Sequence, residues 1–310
     1  MLYRLRHYHD AWLLRATQRR LSELDVRLWA CDGGITVLSM VSTTDVHMYL
    51  LAVTSFAARC PVGRVCVLDD GSLKPRDRAM IEQRIPFVEW LDIDAFRNVR
   101  LPRGGCWERL HAQVALARHD YVIQLDADTL STAALDEVVA AVGEERPFLL
   151  GTRQGHMIGS ARAAAAWAKR ELEAGDEHVQ TLAETALSTL DGTGRLRYVR
   201  GCAAFSGLPP SRIDLETLYT WSSRFAEVLG GRWTEWGTEQ FMSCLLISNL
   251  EDSQVLPHPK YSTCPEAPGV DHAFVHFSGY CRYRAGTYRM LSRRLIAQLE
   301  QRRDAVIGSG

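Results

Sequence analysis

The first half of the chain alternates short apolar runs with longer segments of mixed polarity. Apolar runs that contain many residues with strand propensity occupy residues 35–41, 65–68, 87–91 and 121–125. Segments of helical periodicity separate them, one ending near residue 59 and two spanning 74–84 and 107–118. Strands that alternate with helices in this way pair mainly in parallel. The pattern therefore predicts an α/β fold with a mainly parallel central sheet flanked by helices.

The second half of the chain and its two ends are richer in helical patterns. Strands are expected near 198–205 and 273–277, and helices near 1–30, 159–190, 211–229, 237–246 and 286–303. The terminal helices lie outside the alternating pattern. We therefore predict three parts, which are a helical N-terminal appendage at 1–32, an α/β domain at 33–285, and a basic C-terminal helix and tail at 286–310.

The composition is that of an ordinary globular protein, with 46% hydrophobic and 24% charged residues. The formal net charge is -1, whereas a dedicated nucleic-acid-binding protein usually carries a large basic excess. Of the 36 basic residues, only Lys74, Lys169 and Lys260 are lysines. Phosphate binding is therefore expected to depend on arginine, whose planar guanidinium can contact two oxygens at once.

The cysteines and the apolar runs indicate where the protein is found. The eight cysteines are scattered through apolar stretches without a C-x-x-C pair, which argues against a zinc knuckle and favours reduced core cysteines in a cytosolic protein. The start of the sequence lacks the apolar run of a signal peptide, and no stretch of about 20 apolar residues is present. We expect a cytoplasmic protein.

Polar clusters follow three of the predicted strands, at residues 42–45, 69–72 and 126–129. Ligands bind beyond the carboxyl ends of the strands in parallel sheets, so these clusters mark a candidate site. In the last cluster, Asp126 and Asp128 place two carboxylates just past an apolar strand. Such a pair offers hard oxygen ligands that suit Mg²⁺ or Mn²⁺, although an isolated pair is more often a solvated turn.

The segment at residues 126–129, Asp-Ala-Asp-Thr, resembles the metal-binding DxD motif of GT-A glycosyltransferases. Its surroundings are most similar to glycosyltransferase family 8. That family carries an arginine on the helix before this strand, where the present chain has Arg109. It also carries a late His-x-x-Gly-x-x-Lys motif, which His276, Gly279 and Arg282 match with arginine in place of lysine.

The resemblance implies a GT-A type, Rossmann-like fold that holds a nucleotide-sugar through Mn²⁺ or Mg²⁺. Asp126, Asp128 and His276 would bind the metal, and Arg109 and Arg282 would stabilise charge on the diphosphate. Considered alone, His276 is more simply explained as a core histidine of an apolar strand.

The first two strand-end loops correspond to the nucleotide end of the family's site. The resemblance places Thr43, Thr44 and Asp45 where base and ribose are held, and Asp70 in the second loop. UDP is the carrier that it implies. Two simpler explanations stay open, namely that Asp45 is only a helix N-cap and that residues 69–72 form a plain turn.

The polar cluster at residues 234–240 is the candidate acceptor side, because Glu239 and Gln240 resemble an Asp-Gln pair that the family carries near the reacting sugar. If the reaction retains the anomeric configuration, as the resemblance favours, a residue here steadies the developing oxocarbenium ion. If it inverts, Glu235 or Glu239 serves as general base. The structural alternative is a helix start capped by Thr238.

One departure from the family concerns the Phe-Asn-Ser/Ala-Gly segment that faces the donor sugar. The present chain has Tyr-Val-Arg-Gly at residues 198–201, without the asparagine. The predicted function is metal-dependent transfer of a hexose from a nucleotide-diphosphate sugar, with UDP as carrier, to a hydroxyl acceptor that the sequence does not identify.

Three other protein classes share parts of this pattern. Asp-x-Asp-x-Thr after an apolar strand also resembles the motif of HAD phosphatases, with Asp126 as nucleophile, but that motif lies on the first core strand and about 120 residues precede it here. A nucleotidyltransferase would need a glycine-rich phosphate loop, which residues 42–45 do not provide. A non-catalytic binding module would keep the fold without an intact site.

Arginines flank apolar residues at both ends of the chain. They are Arg4, Arg6, Arg15, Arg19, Arg20 and Arg27 near the start, and Arg289, Arg293, Arg294, Arg302 and Arg303 near the end. Such helices could rest on an anionic membrane, which would suit a lipid-linked acceptor. The alternative is that they pack on the domain with their arginines in water.

Overall fold

The computed structural model describes residues 2–24, 26–265 and 271–307. The side chains of residues 2–8, 22, 280 and 302–307 are not part of what it describes. The end of the expected C-terminal tail, at residues 308–310, and the side chains of Arg4, Arg6, Arg302 and Arg303 therefore lie outside the described residues.

Ten α-helices occur in the described part of the chain. They are α1 (Leu2–Glu23), α2 (Val46–Ala57), α3 (Pro75–Arg84), α4 (Trp107–Leu116), α5 (Asp136–Gly143), α6 (Ala161–Glu173), α7 (Val179–Leu190), α8 (Leu215–Leu229), α9 (Thr238–Ser248) and α10 (Thr287–Ile307). None of them is both long enough and apolar enough to cross a membrane.

Twelve strands occur in the same residues. They are β1 (Ile35–Val41), β2 (Val62–Asp69), β3 (Val88–Asp92), β4 (Val122–Leu125), β5 (Thr129–Ser131), β6 (Phe148–Leu150), β7 (Gly159–Ser160), β8 (Arg197–Tyr198), β9 (Cys202–Leu208), β10 (Gln254–Val255), β11 (Tyr261–Thr263) and β12 (Phe274–His276). Seven of them form one mainly parallel sheet, and two small sheets contain β5, β11 and β12 in one case and β7 and β8 in the other. This architecture confirms the predicted α/β fold.

Two predicted elements are interrupted in the structure. The helical pattern at 159–190 forms α6 and α7, because Gly175 adopts a positive φ of 98° just after α6 and ends the helical path. The strand expected at 198–205 is instead β8 and β9, with Gly201 between them. A Cβ at Gly201 would lie 3.0 Å from the carbonyl oxygen of Leu150, so glycine avoids a tight contact there.

The chain divides into two compact units. The first comprises Met1–Leu91, Leu125–Leu135 and Pro259–Gly310, and the second comprises Asp92–Gln124 and Asp136–His258. Each is described by itself below.

In the first unit, the parallel register of β1 and β2 determines where their loops begin. Val41 at the end of β1 is paired with Asp69 at the end of β2. Ser39 of β1 donates a 2.6 Å hydrogen bond to the carbonyl oxygen of Leu125, the last residue of β4. The polar segments that follow these strands therefore start at one edge of the unit.

Helix α1 packs against α2 and α10 within the first unit. Its apolar side is buried through Leu14 and Leu21. Arg84, at the end of α3, donates hydrogen bonds to the backbone carbonyls of Leu21, Leu24 and Val26, which holds the chain where it leaves α1. These contacts attach the N-terminal helix to the unit that carries the strand-end loops.

In the second unit, an aromatic cluster holds three helices together. The ring of Phe225 on α8 lies 5.2 Å from Trp233 and 4.8 Å from Phe241 on α9, measured between centroids. Trp107, the first residue of α4, lies 5.4 Å from Trp233. Burial of such large rings dominates local packing energy, so the cluster fixes α4 and α9 relative to each other. These two helices carry Arg109 and Glu239.

Candidate active site

Strand register brings the three predicted metal ligands together in the first unit. Asp126 and Asp128 follow β4, and β5 begins directly afterwards at Thr129. Strand β12 pairs antiparallel with β5 so that His276 is opposite Thr129. One ligand atom from each of Asp126, Asp128 and His276 can be chosen so that all lie within 4.8 Å of one another.

The chemistry of this donor set fits a divalent cation. Two carboxylates and one imidazole suit Mn²⁺ or Mg²⁺, and three protein ligands leave room for other oxygens. Backbone contacts hold the set in place, because the N–H of Phe277 donates to the carbonyl of Asp128 at 2.8 Å. The hydroxyl of Thr129 donates to the carbonyl of Asp126 at 2.8 Å.

Asp128 is buried and contacts two cationic or potentially cationic groups. Its Oδ1 lies 3.2 Å from Nε2 of His276, and its Oδ2 accepts a 2.9 Å hydrogen bond from Nε of Arg282. Burial alone would raise the pKa of the Asp128 carboxyl, but His276 and Arg282 hold it well below its usual range. The ionised form that a metal requires is therefore the stable one.

The short helical turn at Gly279–Arg282 returns Arg282 to this cluster. Gly279 has a φ of 49°, a conformation that side-chain-bearing residues adopt rarely. Beyond Asp128, the guanidinium of Arg282 also lies 3.9 Å from Oδ1 of Asp45, in the loop after β1. Arg282 therefore joins the metal cluster to the predicted nucleotide loop.

A disulfide between Cys264 and Cys281 lies beside these residues, with their Cα atoms 5.6 Å apart. The expectation that all the cysteines are reduced core residues is wrong for this pair. The N–H of Cys264 donates to the carbonyl of His276 at 2.8 Å, and Cys281 immediately precedes Arg282. Spacing alone did not indicate the pair, because β11 and β12 bring the two residues together only in the folded chain.

The two predicted nucleotide loops are joined by hydrogen bonds. The N–H of Thr43 donates to Oγ of Ser72 at 2.9 Å, and Ser72 in turn donates to the carboxylate of Asp70. The hydroxyl of Thr43 donates to Oδ2 of Asp77 at 2.5 Å. Asp70 itself is exposed and contacts Ser72, as a turn residue does.

Asp77 is a residue that the sequence analysis missed. Besides Thr43, its carboxylate accepts the backbone N–H of Lys74 at 3.0 Å, which caps the start of α3. In the sequence, Asp77 is an acidic residue in the first helical turn after Pro75, a position that indicates only a capping role. Asp45 lies at the N-cap position of α2 but makes no capping hydrogen bond there, and its carboxylate accepts from Ser42 instead.

In the second unit, Arg109 and Glu239 form a buried ion pair. The guanidinium of Arg109 lies 3.2 Å from the Glu239 carboxylate, and both side chains are almost entirely buried. Ser243 donates to the same carboxylate at 3.2 Å. Trp107 donates to Thr238 at 3.0 Å, so the start of α9 is tied to the start of α4. The charges of two predicted site residues thus neutralise each other.

The side chain of Gln240 contacts a buried polar network that was not predicted from the sequence. Its amide donates to Gln180 at 3.0 Å, and Gln180 contacts Glu184 and Tyr198. Glu184 also pairs with Arg200. Burial raises the pKa of Glu184, while Arg200, Tyr198 and Gln180 oppose that rise. Tyr198 and Arg200 belong to the segment where this chain departs from the family sequence.

Glu235, the remaining predicted residue, is exposed and forms an ion pair with Arg232 at 2.7 Å. Hydrogen bonding by Arg232 lowers the pKa of the Glu235 carboxyl. The structure thus places Glu235 on the surface of the second unit, apart from the buried network of Gln240.

No protein-family model and no curated protein sequence matches this chain. Solved structures do match. The galactosyltransferase LgtC, in complex with donor and acceptor sugar analogs, is 12% identical over 83% of this chain and 95% of its own, with a TM-score of 0.50. An active-site mutant of LgtC matches over the same shares with a TM-score of 0.51.

The fold is that of the GT-A glycosyltransferases. The bifunctional glycosyltransferase WbbM is also similar, at 12% identity and a TM-score of 0.51, over 82% of this chain and 47% of its own. The predicted fold type is therefore confirmed, and the HAD phosphatase alternative receives no support from these structures. At this level of identity the likeness concerns the fold.

Proposed function

We propose that this protein is a metal-dependent glycosyltransferase that takes its sugar from a nucleotide-sugar. The observation that carries the proposal is the cluster of Asp126, Asp128 and His276 with Arg282 beside it, on a GT-A fold. These are hard and borderline metal ligands next to a cation that can bind phosphate, which is the chemistry that departure of a nucleoside diphosphate requires.

Asp126, Asp128 and His276 would hold Mn²⁺ or Mg²⁺, which would neutralise charge on the diphosphate as the sugar departs. The residues around this set have separate tasks. Arg282 keeps Asp128 ionised and can donate to phosphate oxygens from the adjacent position. Thr43, held by Asp77 and Ser72, keeps the loop of Thr44 and Asp45 in one conformation for the nucleoside.

From the motif resemblance we also infer a UDP-hexose donor, membership of family 8 and retention of the anomeric configuration. The buried pair with Arg109 favours a positioning role for Glu239 on α9, and the Gln240 amide, which donates to Gln180, stays a predicted catalytic group. Glu235 would act as a base only in an inverting reaction. Contact of the terminal helices with a membrane remains a prediction.

The test is a thermal-shift screen of nucleotide-sugars with and without Mn²⁺. We expect stabilisation that requires both components and disappears in Asp128→Ala and in Asp126→Ala, whose side chain is less buried. Asp32→Ala, at an exposed turn position, is the matched control and should behave as the wild type.

A second readout separates the enzyme classes. A glycosyltransferase of this kind should hydrolyse its nucleotide-sugar slowly in the presence of Mn²⁺ and leave phosphate monoesters intact. Activity on the monoesters alone, or stabilisation by no nucleotide-sugar, would refute the proposal.

A further inference from the structure

The first unit contains a cavity of about 470 Å³ beside the strand-end loops. Its lining includes Thr43, Thr44 and Asp45, the first turn of α3, and Arg282. The N-terminal helix α1 forms another part of the wall, through residues that include Arg15, Gln18 and Arg19. The volume is within the range typical of small-molecule sites.

Helix α1 presents an ordered pattern of side chains at this wall. Leu14 and Gln18 are buried at 2% and 1% exposure, and Arg15 and Arg19 follow them one position later at the cavity. The two arginines are four residues apart, which places like charges next to each other and disfavours a helix unless an acceptor is nearby.

No described carboxylate forms an ion pair with Arg15 or Arg19. The next arginine on the helix is different, because Arg20 is paired with Glu300 of α10 at 2.9 Å. Burial and the charge of Arg19 lower the pKa of the neighbouring His47, which also lines the cavity. Arg15 and Arg19, which form no ion pair with a described carboxylate, thus lie at the cavity, whereas the charge of Arg20 is neutralised by Glu300.

Arg282 links the cavity to the metal cluster, because it lines the cavity and contacts both Asp128 and Asp45. Its basic lining also includes Lys74 and Arg76, whereas the carboxylate of Asp77 is already engaged by Thr43. A ligand rich in acceptor oxygens, extending away from the metal, would satisfy this lining.

We propose that helix α1 is part of the donor site, with Arg15 and Arg19 donating hydrogen bonds to a nucleoside diphosphate in the cavity that they line together with Thr43 and Asp45. This inference rests on the proposed function. It assigns a ligand-binding role to the predicted N-terminal appendage, and it makes the same arginines unavailable for a membrane surface.

The experiment is calorimetric titration of UDP and of GDP, each with Mn²⁺, into three proteins. These are the wild type, the double variant Arg15→Gln/Arg19→Gln, and the control Arg20→Gln. We expect the double variant to raise the nucleotide Kd about tenfold or more, since charge-assisted hydrogen bonds are lost. The control should keep the wild-type Kd, and the melting temperature of the unliganded double variant should be unchanged.

The outcomes separate this inference from the proposed function. If the wild type binds neither nucleotide with Mn²⁺, both fail. If the wild type binds and the double variant binds equally tightly, the function stands and the role of α1 is refuted. Sedimentation with phosphatidylglycerol vesicles is the third arm, and binding that the double variant loses while its nucleotide Kd is unchanged would assign the arginines to a membrane instead.

Discussion

Arg282 donates a hydrogen bond to one carboxylate oxygen of Asp128, and His276 lies 3.2 Å from the other. A buried carboxylate is thus held by an arginine and a histidine that approach from the same stretch of chain. Because a bound metal would use the same carboxylate, we expect Arg282 to turn from Asp128 to the diphosphate when the donor binds. The side chain then stabilises negative charge in both states.

The first prediction concerns the charged side chain of Arg282. Arg282→Lys keeps the charge but loses the planar fork, as in the family motif, whereas Arg282→Met removes both. We expect a modest loss of nucleotide affinity with Mn²⁺ for the lysine variant and a loss of roughly tenfold to hundredfold for the methionine variant. Titration calorimetry measures both, and equal losses would show that the charge is not used.

The second prediction concerns the buried pair of Arg109 and Glu239. Glu239→Gln leaves the guanidinium without its counter-charge and should cost about 3–5 kcal/mol of unfolding free energy. The double variant Arg109→Met/Glu239→Gln should recover part of this loss, because no uncompensated charge is left. Urea unfolding of Arg109→Met, Glu239→Gln and the double variant, each compared with the wild type, gives the coupling energy. Additive losses would contradict the pair as the source of the effect.

The third prediction concerns pH and the Asp77 carboxyl. Burial would raise its pKa, but the hydrogen bonds from Thr43 and the backbone of Lys74, with the charges of Arg76 and Lys74, lower it. A depressed folded pKa stabilises the protein fully above the ordinary aspartate value near 3.9 and loses that contribution as the pH falls through the folded value.

We therefore expect the wild type to lose stability more steeply than Asp77→Asn between about pH 5 and pH 3. At neutral pH the variant should be less stable by about 1 kcal/mol, since it weakens the start of α3. Asp32→Asn, at an exposed position, serves as the control for nonspecific charge effects. Parallel pH profiles for wild type and Asp77→Asn would contradict the assignment.

The fourth prediction concerns the disulfide of Cys264 and Cys281. Removing it with Cys264→Ser/Cys281→Ser should lower the unfolding free energy by about 3 kcal/mol, because the closed loop regains freedom in the unfolded chain. Mn²⁺ affinity should fall as well, since the link flanks His276 and Arg282. Dithiothreitol should reproduce both effects in the wild type and leave the double variant unchanged.

Cys31→Ser removes an exposed free thiol and is the matched control for this experiment. If dithiothreitol changes neither the stability nor the Mn²⁺ affinity of the wild type, the bridge has no part in holding the metal cluster.

Local pattern was sufficient to predict the strand that Asp126 and Asp128 follow. Strands and helices that bury an apolar face leave a repeating pattern of apolar residues in the sequence. The ends of these patterns indicated where the polar loops would begin. The same reasoning failed at Asp77 and Glu184, because a carboxylate on an amphipathic helix gives no sign of which distant group it will contact. It failed likewise for Cys264 and Cys281.

The sequence by itself determined the α/β class, the position of the acidic motif after β4, and the candidate residues on both sides of the reaction. Only the tertiary structure decided which of them lie together. The antiparallel register of β5 and β12 sets His276 against Asp128, the packing of α4 on α9 neutralises Arg109 with Glu239, and the packing of α1 directs Arg15 and Arg19 at the cavity. These pairings depend on contacts between residues far apart along the chain, which periodicity does not encode.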